Sequence, residues 1–170
     1  GTTTSASPEA PVNPWDLPLE ERPDLFDPCA EIPIEAVEEA LGGPVEPNEQ
    51  LHNHEPDELY TCGWKNDDFL YGVIGTWQSK QQLLTDPNFG PFDPSVTVNG
   101  RPSVQAQVRT DKAGKSCYQA FYTSRGAVIF NATSISSLSE LHGERGLPGC
   151  GVLDRTIDSI LRFLPEGDFQ

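Results

Sequence analysis

The chain has 170 residues, a net charge of −15 and 36% apolar residues. That length suits one domain with its own core, and the charge repels phosphate backbones and anionic lipid surfaces, which excludes nucleic acid as a partner. With 16 prolines and 15 glycines the chain is cut into short elements, and no apolar run approaches the roughly 18 residues needed to span a bilayer.

Residues 1–12 are mostly Thr, Ser, Ala and Pro. Such a segment has too little apolar surface to fold and reads as a tether. The chain has no methionine. A Ser/Thr/Pro tether opening a methionine-free chain is the pattern that follows the lipidated cysteine of a bacterial lipoprotein, here expected just before Gly1; a cloning remnant at Gly1 is the competing explanation. Residues 13–28 hold Trp15, Leu17, Leu19, Leu25 and Phe26 among prolines. They read as an extended arm on the surface, since proline removes backbone donors and clashes with a preceding helical turn.

The segment from Pro33 to Leu41 is expected to be helical. Proline suits its start, Ile34, Val37 and Leu41 share a face, and Gly42-Gly43 ends it. Pro44 to Tyr60 reads as a polar acidic loop. Cys62-Gly63-Trp64 opens the sheet, and Phe69 to Trp77 is a strand with apolar groups on both faces, hence central or covered twice. Residues 78–95 form a long connection with a short helical turn at Leu83-Leu84. Asn99-Gly100 marks a hairpin, after which Val104, Ala106 and Val108 alternate with polar residues. Ser116 to Thr123 and Ala127 to Thr133 complete an antiparallel meander. After a Ser/Gly-rich loop, Cys150 opens a last helix with Leu153, Ile157, Ile160, Leu161 and Leu164 as its apolar stripe. The fold class is α+β: an antiparallel sheet of four to five strands with an N-terminal and a C-terminal helix packed on one face, within a single domain over 29–165 and a tail over 166–170.

Cys29, Cys62, Cys117 and Cys150 are dispersed, without a C-x-x-C pair. An even number of scattered cysteines reads as two disulfides formed in an oxidising compartment. Three pairings are open. Cys29–Cys62 and Cys117–Cys150 are favoured, because each closes a loop of similar length and each would tie a helix to the sheet. Each bridge would contribute roughly 3–4 kcal/mol by loop-closure entropy. Free thiols are the alternative, but few of the four have a flanking base or helix start to lower a thiol pKa.

The chemistry-bearing residues form no catalytic motif. G-x-S-x-G, G-x-G-x-x-G and a phosphate loop are all missing from the sequence. His52 and His54 lie on one side of an extended loop but lack a third ligand at zinc spacing. His142 sits beside Glu140 and Glu144 with no nucleophile paired to it. Asp86 to Asp93 offers carboxylates without the alternation of a calcium loop. Asp67 and Asp68, the candidates for a glycan-cleaving acid pair, are adjacent and would point apart on a strand. Asn131-Ala132-Thr133 matches a glycosylation pattern but falls on a strand. No catalytic residue, metal or cofactor is assigned. The aromatic residues Trp64, Tyr71, Trp77, Tyr118 and Phe121 would line a pocket if sheet and helices splay apart, with Gly72 and Gly75 leaving room. Trp15, Leu17, Leu25 and Phe26 on the arm are the candidate partner contacts.

Asp27-Pro28-Cys29 before a short helix ending in glycine, Cys62-Gly63-Trp64, Asn99-Gly100-Arg101 with its strand, Cys117, and Cys150 leading into a helix that ends at Leu164-Pro165 together resemble the actinobacterial lipoproteins grouped as domain of unknown function 3558. The resemblance covers about Asp27 to Pro165, and implies a secreted or lipid-anchored envelope protein without a mapped activity. The expected function is therefore a non-enzymatic envelope lipoprotein on the outer face of the plasma membrane, an accessory or docking subunit that meets a membrane protein or complex through a basic surface of that partner. The alternative is a carrier or sensor for an apolar envelope ligand held between sheet and helices.

Overall fold

In a computed structural model, residues 12–169 are described; the tether expected over 1–12 lies outside them except for Val12. Asp27 caps α1 (Pro28–Glu31) by accepting from the Cys29 and Ala30 N–H groups. Pro33 then starts α2 (Ile34–Leu41), which buries Ala36, Val37, Ala40 and Leu41 and ends at Gly42 in the left-handed conformation (φ +81°). A Cβ at Gly42 would come within 3.1 Å of the His142 ring, so the helix end needs glycine for space as well as for φ.

The segment expected to be a polar loop instead carries β1 (Glu46–Pro47) and β2 (Asn53–Glu55), separated by a 3-10 turn at Glu49–Leu51. Then come β3 (Leu59–Lys65), β4 (Phe69–Thr76), α3 (Lys80–Leu84), β5 (Phe89–Val98), β6 (Arg101–Val108), β7 (Ser116–Thr123) and β8 (Gly126–Ser134). A two-residue hairpin of β9 (Glu140–Leu141) and β10 (Glu144–Arg145) precedes α4 (Gly149–Ile160). The sheet thus has 8 strands rather than four to five, in the order β1-β3-β4-β8-β7-β6-β5, with β2 also pairing with β3. All its pairings are antiparallel. The β5–β6 turn has φ of 50° at Asn99 and 79° at Gly100, the conformation for which Asn-Gly is selected. The meander β5 to β8 folds back so that β8 lies beside β4, with Val73 opposite Phe130 and Ile74 opposite Ile129.

Alternation along the central strands separates two apolar layers. Phe69, Tyr71, Val73, Phe121, Val128 and Phe130 pack against α2, α4 and Phe26 in the main core. Ile74, Tyr118, Ala120, Tyr122, Ala127 and Ile129 face the other way and join Val104, Leu83, Phe89 and Trp15 in a second cluster. Strand β6 turns its apolar residues toward this second cluster. On the helix side, its Gln105 donates to Gln119 and to Asp154 of α4, and Gln119 donates to Ser103. The buried Gln119 amide is thereby satisfied.

The two disulfides are Cys29–Cys62, which ties α1 to β3, and Cys117–Cys150, which ties β7 to α4. Residues 13–28 form a docked strap with 3-10 turns at Pro14–Asp16 and Leu19–Glu21. The Phe26 N–H donates to the Arg125 carbonyl at 3.1 Å. A Cβ on Gly75 would stand 2.1 Å from the Phe26 carbonyl oxygen, so Gly75 makes room for the arm backbone and not for a ligand. The tail is docked as well, with Ser124 N–H donating to Glu166 O and Phe169 N–H to Tyr122 O.

Candidate functional site

The helices cover one face of the sheet, leaving the other to short segments. On that open face a cleft of about 650 Å³ runs over Ile74 and Ile129, the centre of the β4–β8 pair. Leu83 of α3, Phe89 of β5, Tyr118 of β7, Leu59 of β3 and Trp77 line it, together with the exposed Leu19 of the arm. Trp77 is held from behind: Trp15 meets it edge-on at 4.9 Å, and the Arg22 guanidinium lies 4.8 Å over its ring. Arg22 is itself fixed by donating to the Leu17 and Trp15 carbonyls. Phe89 meets Tyr118 edge-on at 5.0 Å, and burial raises the Tyr118 phenol above its ordinary pKa, so at neutral pH it is an uncharged donor and acceptor. The charged residues lining the cleft are Glu55 at the end of β2 and Asp57 and Glu58 in the turn after it, with no Lys or Arg among the described lining residues. The site is therefore an apolar floor with an anionic rim, the form of a pocket for a small apolar molecule with a cationic end.

The five aromatic residues expected to line one pocket divide between the two layers. Trp77 and Tyr118 border the cleft. Trp64, Tyr71 and Phe121 are buried in the core beneath the helices. Tyr71 is fully enclosed, its hydroxyl 3.0 Å from the Thr156 Oγ1. The helix–sheet interface is packed at these residues, so the room for a ligand is on the opposite face from the one expected. Period-two alternation finds both faces of β4 but does not say which one the helices take. The cleft residues without a sequence signal are Leu19, Leu83 and Phe89, which reach the sheet only through tertiary folding.

The arm residues expected to meet a partner are engaged at home. Leu25 and Phe26 are buried. Trp15 donates from Nε1 to the Thr123 carbonyl at 2.9 Å, and Leu17 is half-buried. His142 is a helix cap, its Nε2 2.9 Å from the Ala40 carbonyl. His54 stacks on Tyr60 at 4.2 Å, with Nε2 3.4 Å from Asp27. Asp86 accepts from the Asn88 N–H in the turn before β5, and Asp93 accepts from the Ser95 N–H at a register shift within β5. Asp67 and Asp68 lie in the turn after β3 rather than on a strand, where Asn66 accepts from the Asp68 and Phe69 N–H groups. Asn131 points its amide at Ser116 Oγ and the Cys117 carbonyl. One convergence has no signature in the spacing: His52 comes beside Cys29 and Cys62, with potential ligand atoms within 4.8 Å of one another.

Fold and cleft together define a two-layer α+β domain, stapled by two disulfides, with a recess on the free face of its sheet. The chain belongs to the family described as protein of unknown function DUF3558, whose match spans residues 1–156. It is also 25% identical over 100 residues to a histidinol-phosphate aminotransferase of Thermococcus gammatolerans, a stretch covering 58% of this chain and 29% of that enzyme. The chain spans less than a third of that relative's length, and the likeness carries no activity over. No solved structure matches.

Proposed function

We propose that this protein is a non-enzymatic extracytoplasmic binding domain that holds an apolar ligand with a cationic end on the open face of its sheet. The observation that carries the reading is the composition of the cleft: Ile74, Ile129, Leu83, Phe89 and Trp77 around about 650 Å³, bounded by Glu55, Asp57 and Glu58. An apolar body gains by leaving water, and a cation at the mouth is favoured by the carboxylates there. The two disulfides support an oxidising compartment. Dodecylamine, dodecanol and dodecanoate share one chain and differ in charge. Titrated by calorimetry and native mass spectrometry, the amine should bind about tenfold tighter than the carboxylate, and Ile74→Trp should abolish all binding by filling the floor. Equal affinity for amine and carboxylate, or no saturable binding, would overturn the proposal.

A second reading, a lipid-anchored docking subunit of an envelope membrane complex, no longer draws on the arm. It is supported by the net charge of −15 and by two exposed apolar residues after β8, Ile135 and Leu138, at 46% and 73% exposure. Pull-down from native membranes in mild detergent tests it, and recovery of no envelope protein would count against it.

A further inference from the structure

The two disulfides sit in unlike surroundings. In the Cys117–Cys150 bridge, Cys117 is fully buried and Cys150 packs against the main core. In the other bridge Cys29 is exposed, Cys62 is buried, and the His52 Nε2 lies 3.7 Å from the Cys62 Sγ. That nitrogen is also 3.2 Å from the Gly63 carbonyl oxygen. A carbonyl oxygen only accepts, so this contact requires a hydrogen on Nε2. With that hydrogen Nε2 has no lone pair to offer a metal, and the same nitrogen is within donor reach of the Cys62 sulfur. His52 thus faces the bridge as a donor rather than as a ligand. The local sequence builds this placement. Gly63 lets the Glu49–Leu51 turn lie against β3, where a Cβ would come within 2.8 Å of Leu51, and His52 follows that turn directly.

We propose that Cys29–Cys62 is a reactive disulfide that undergoes exchange with thiols at Cys29, with His52 as the positioning residue that receives the Cys62 thiolate. The substrate class is a thiolate nucleophile, from a small thiol or a protein dithiol. The incoming thiolate attacks the Cys29 sulfur, a new sulfur–sulfur bond forms there, and the old bond's electron pair leaves on Cys62. The Cys62 thiolate accepts a hydrogen bond from His52 Nε2–H. A second thiolate then attacks the incoming sulfur and releases Cys29 as a thiolate. The chain gains two electrons, and the dithiol is oxidised to its disulfide. Exchange is faster when the leaving thiolate is stabilised, and a neighbouring imidazole provides that stabilisation. This proposal does not depend on the cleft.

The test treats the folded full chain with reduced glutathione, alkylates free thiols with iodoacetamide, and maps both cysteine pairs by peptide mass spectrometry over time. The expected result is glutathione on Cys29, alkylation on Cys62, and an intact Cys117–Cys150. His52→Phe should slow opening of the first bridge on the order of tenfold, and His52→Gln, which keeps an N–H donor, should recover part of that loss. The resistance of Cys117–Cys150 reports in every sample that the chain is still folded. Glutathione arriving on Cys62 instead, both bridges opening only in denaturant, or His52→Phe leaving the rate unchanged would each overturn the proposal.

Discussion

Arg125 closes the arm onto the sheet, and its removal gives a direct measure of what the arm contributes. Its guanidinium donates to the Asp24 carbonyl at 3.1 Å, the Leu25 carbonyl at 3.1 Å, and the two oxygens of Glu31 at 2.6 and 2.9 Å. In Arg125→Ala the two carbonyls can turn to water. Glu31 keeps only the N–H of Asp27, at 2.9 Å. The Arg125 and Glu31 side chains are 33% and 32% exposed, so the pair is neither a surface ion pair nor a buried one. Exposed pairs contribute about 0–1 kcal/mol and hydrogen bonds to charged groups about 1.5–3 kcal/mol. A bidentate pair of intermediate burial should therefore contribute about 2 kcal/mol. For a domain of this size that is a fall in Tm of about 4–8 °C. Urea unfolding followed by tryptophan fluorescence is suited to the measurement, because Trp15 and Trp77 lie at the arm–sheet contact. The double variant Arg125→Ala/Glu31→Gln should be less destabilised than the sum of its singles. An unchanged midpoint in Arg125→Ala, or strict additivity in the double variant, would refute the clasp.

The same pair predicts an acid limb. Partial burial pushes the Glu31 pKa upward, but the hydrogen bond from Arg125, the Asp27 N–H and the Arg125 charge together outweigh it and hold it below its ordinary 4.5. A carboxyl with a depressed folded pKa contributes its stability in full above the unfolded value and loses it as pH falls through the folded one. Wild type should therefore lose more stability than Glu31→Gln between about pH 5 and about pH 3; parallel urea midpoints over that window would contradict this. Two buried tyrosines should respond oppositely to loss of the hydroxyl. Thr156 donates to the Val152 carbonyl, so Tyr71 donates to Thr156, and Tyr71→Phe should cost about 1 kcal/mol. The Tyr122 hydroxyl is buried without a partner among the described residues, so Tyr122→Phe should be neutral or stabilising by up to about 1 kcal/mol. Thermal unfolding of the two variants decides it, and the reverse order would sink the argument.

Elements with a local signal were legible in the sequence. The helix over 34–41, the Asn99-Gly100 hairpin, strands β7 and β8 and the amphipathic last helix all stand where periodicity and caps put them. The favoured disulfide pairing is also the one observed. The elements that were missed owe their structure to a neighbour. Strands β1 and β2 are exposed throughout and form because the edge of β3 offers unpaired backbone groups, so no apolar alternation marks them. Strand β5 contains Pro91 and Pro94, which read as turns. It is an edge strand with register shifts between Phe89 and Phe92 and between Asp93 and Val96, and an edge tolerates proline. The arm reads as a surface strap because its prolines exclude regular structure. Its attachment depends on Gly75 and Arg125, about 50 and 100 residues away in sequence.

The position of the cleft follows from an imbalance between the two faces. The sheet is apolar on both sides of β4, β7 and β8, yet both helices of eight or more residues go to one side. Among the described residues the other side is covered by a five-residue helix, an edge strand, the arm and the tail. Short segments bring few apolar side chains, and those they bring, Trp15, Leu83 and Phe89, shelter the flanks of the β4–β8 pair rather than its middle. Ile74 therefore stays half-buried, as do Leu70 and Tyr118, while the helix-facing positions of β4, β7 and β8 are buried. A sheet face left uncovered for want of chain would be polar at its centre, because exposed apolar surface costs solubility. This one is apolar at its centre and acidic at its border, the combination on which the proposed ligand rests.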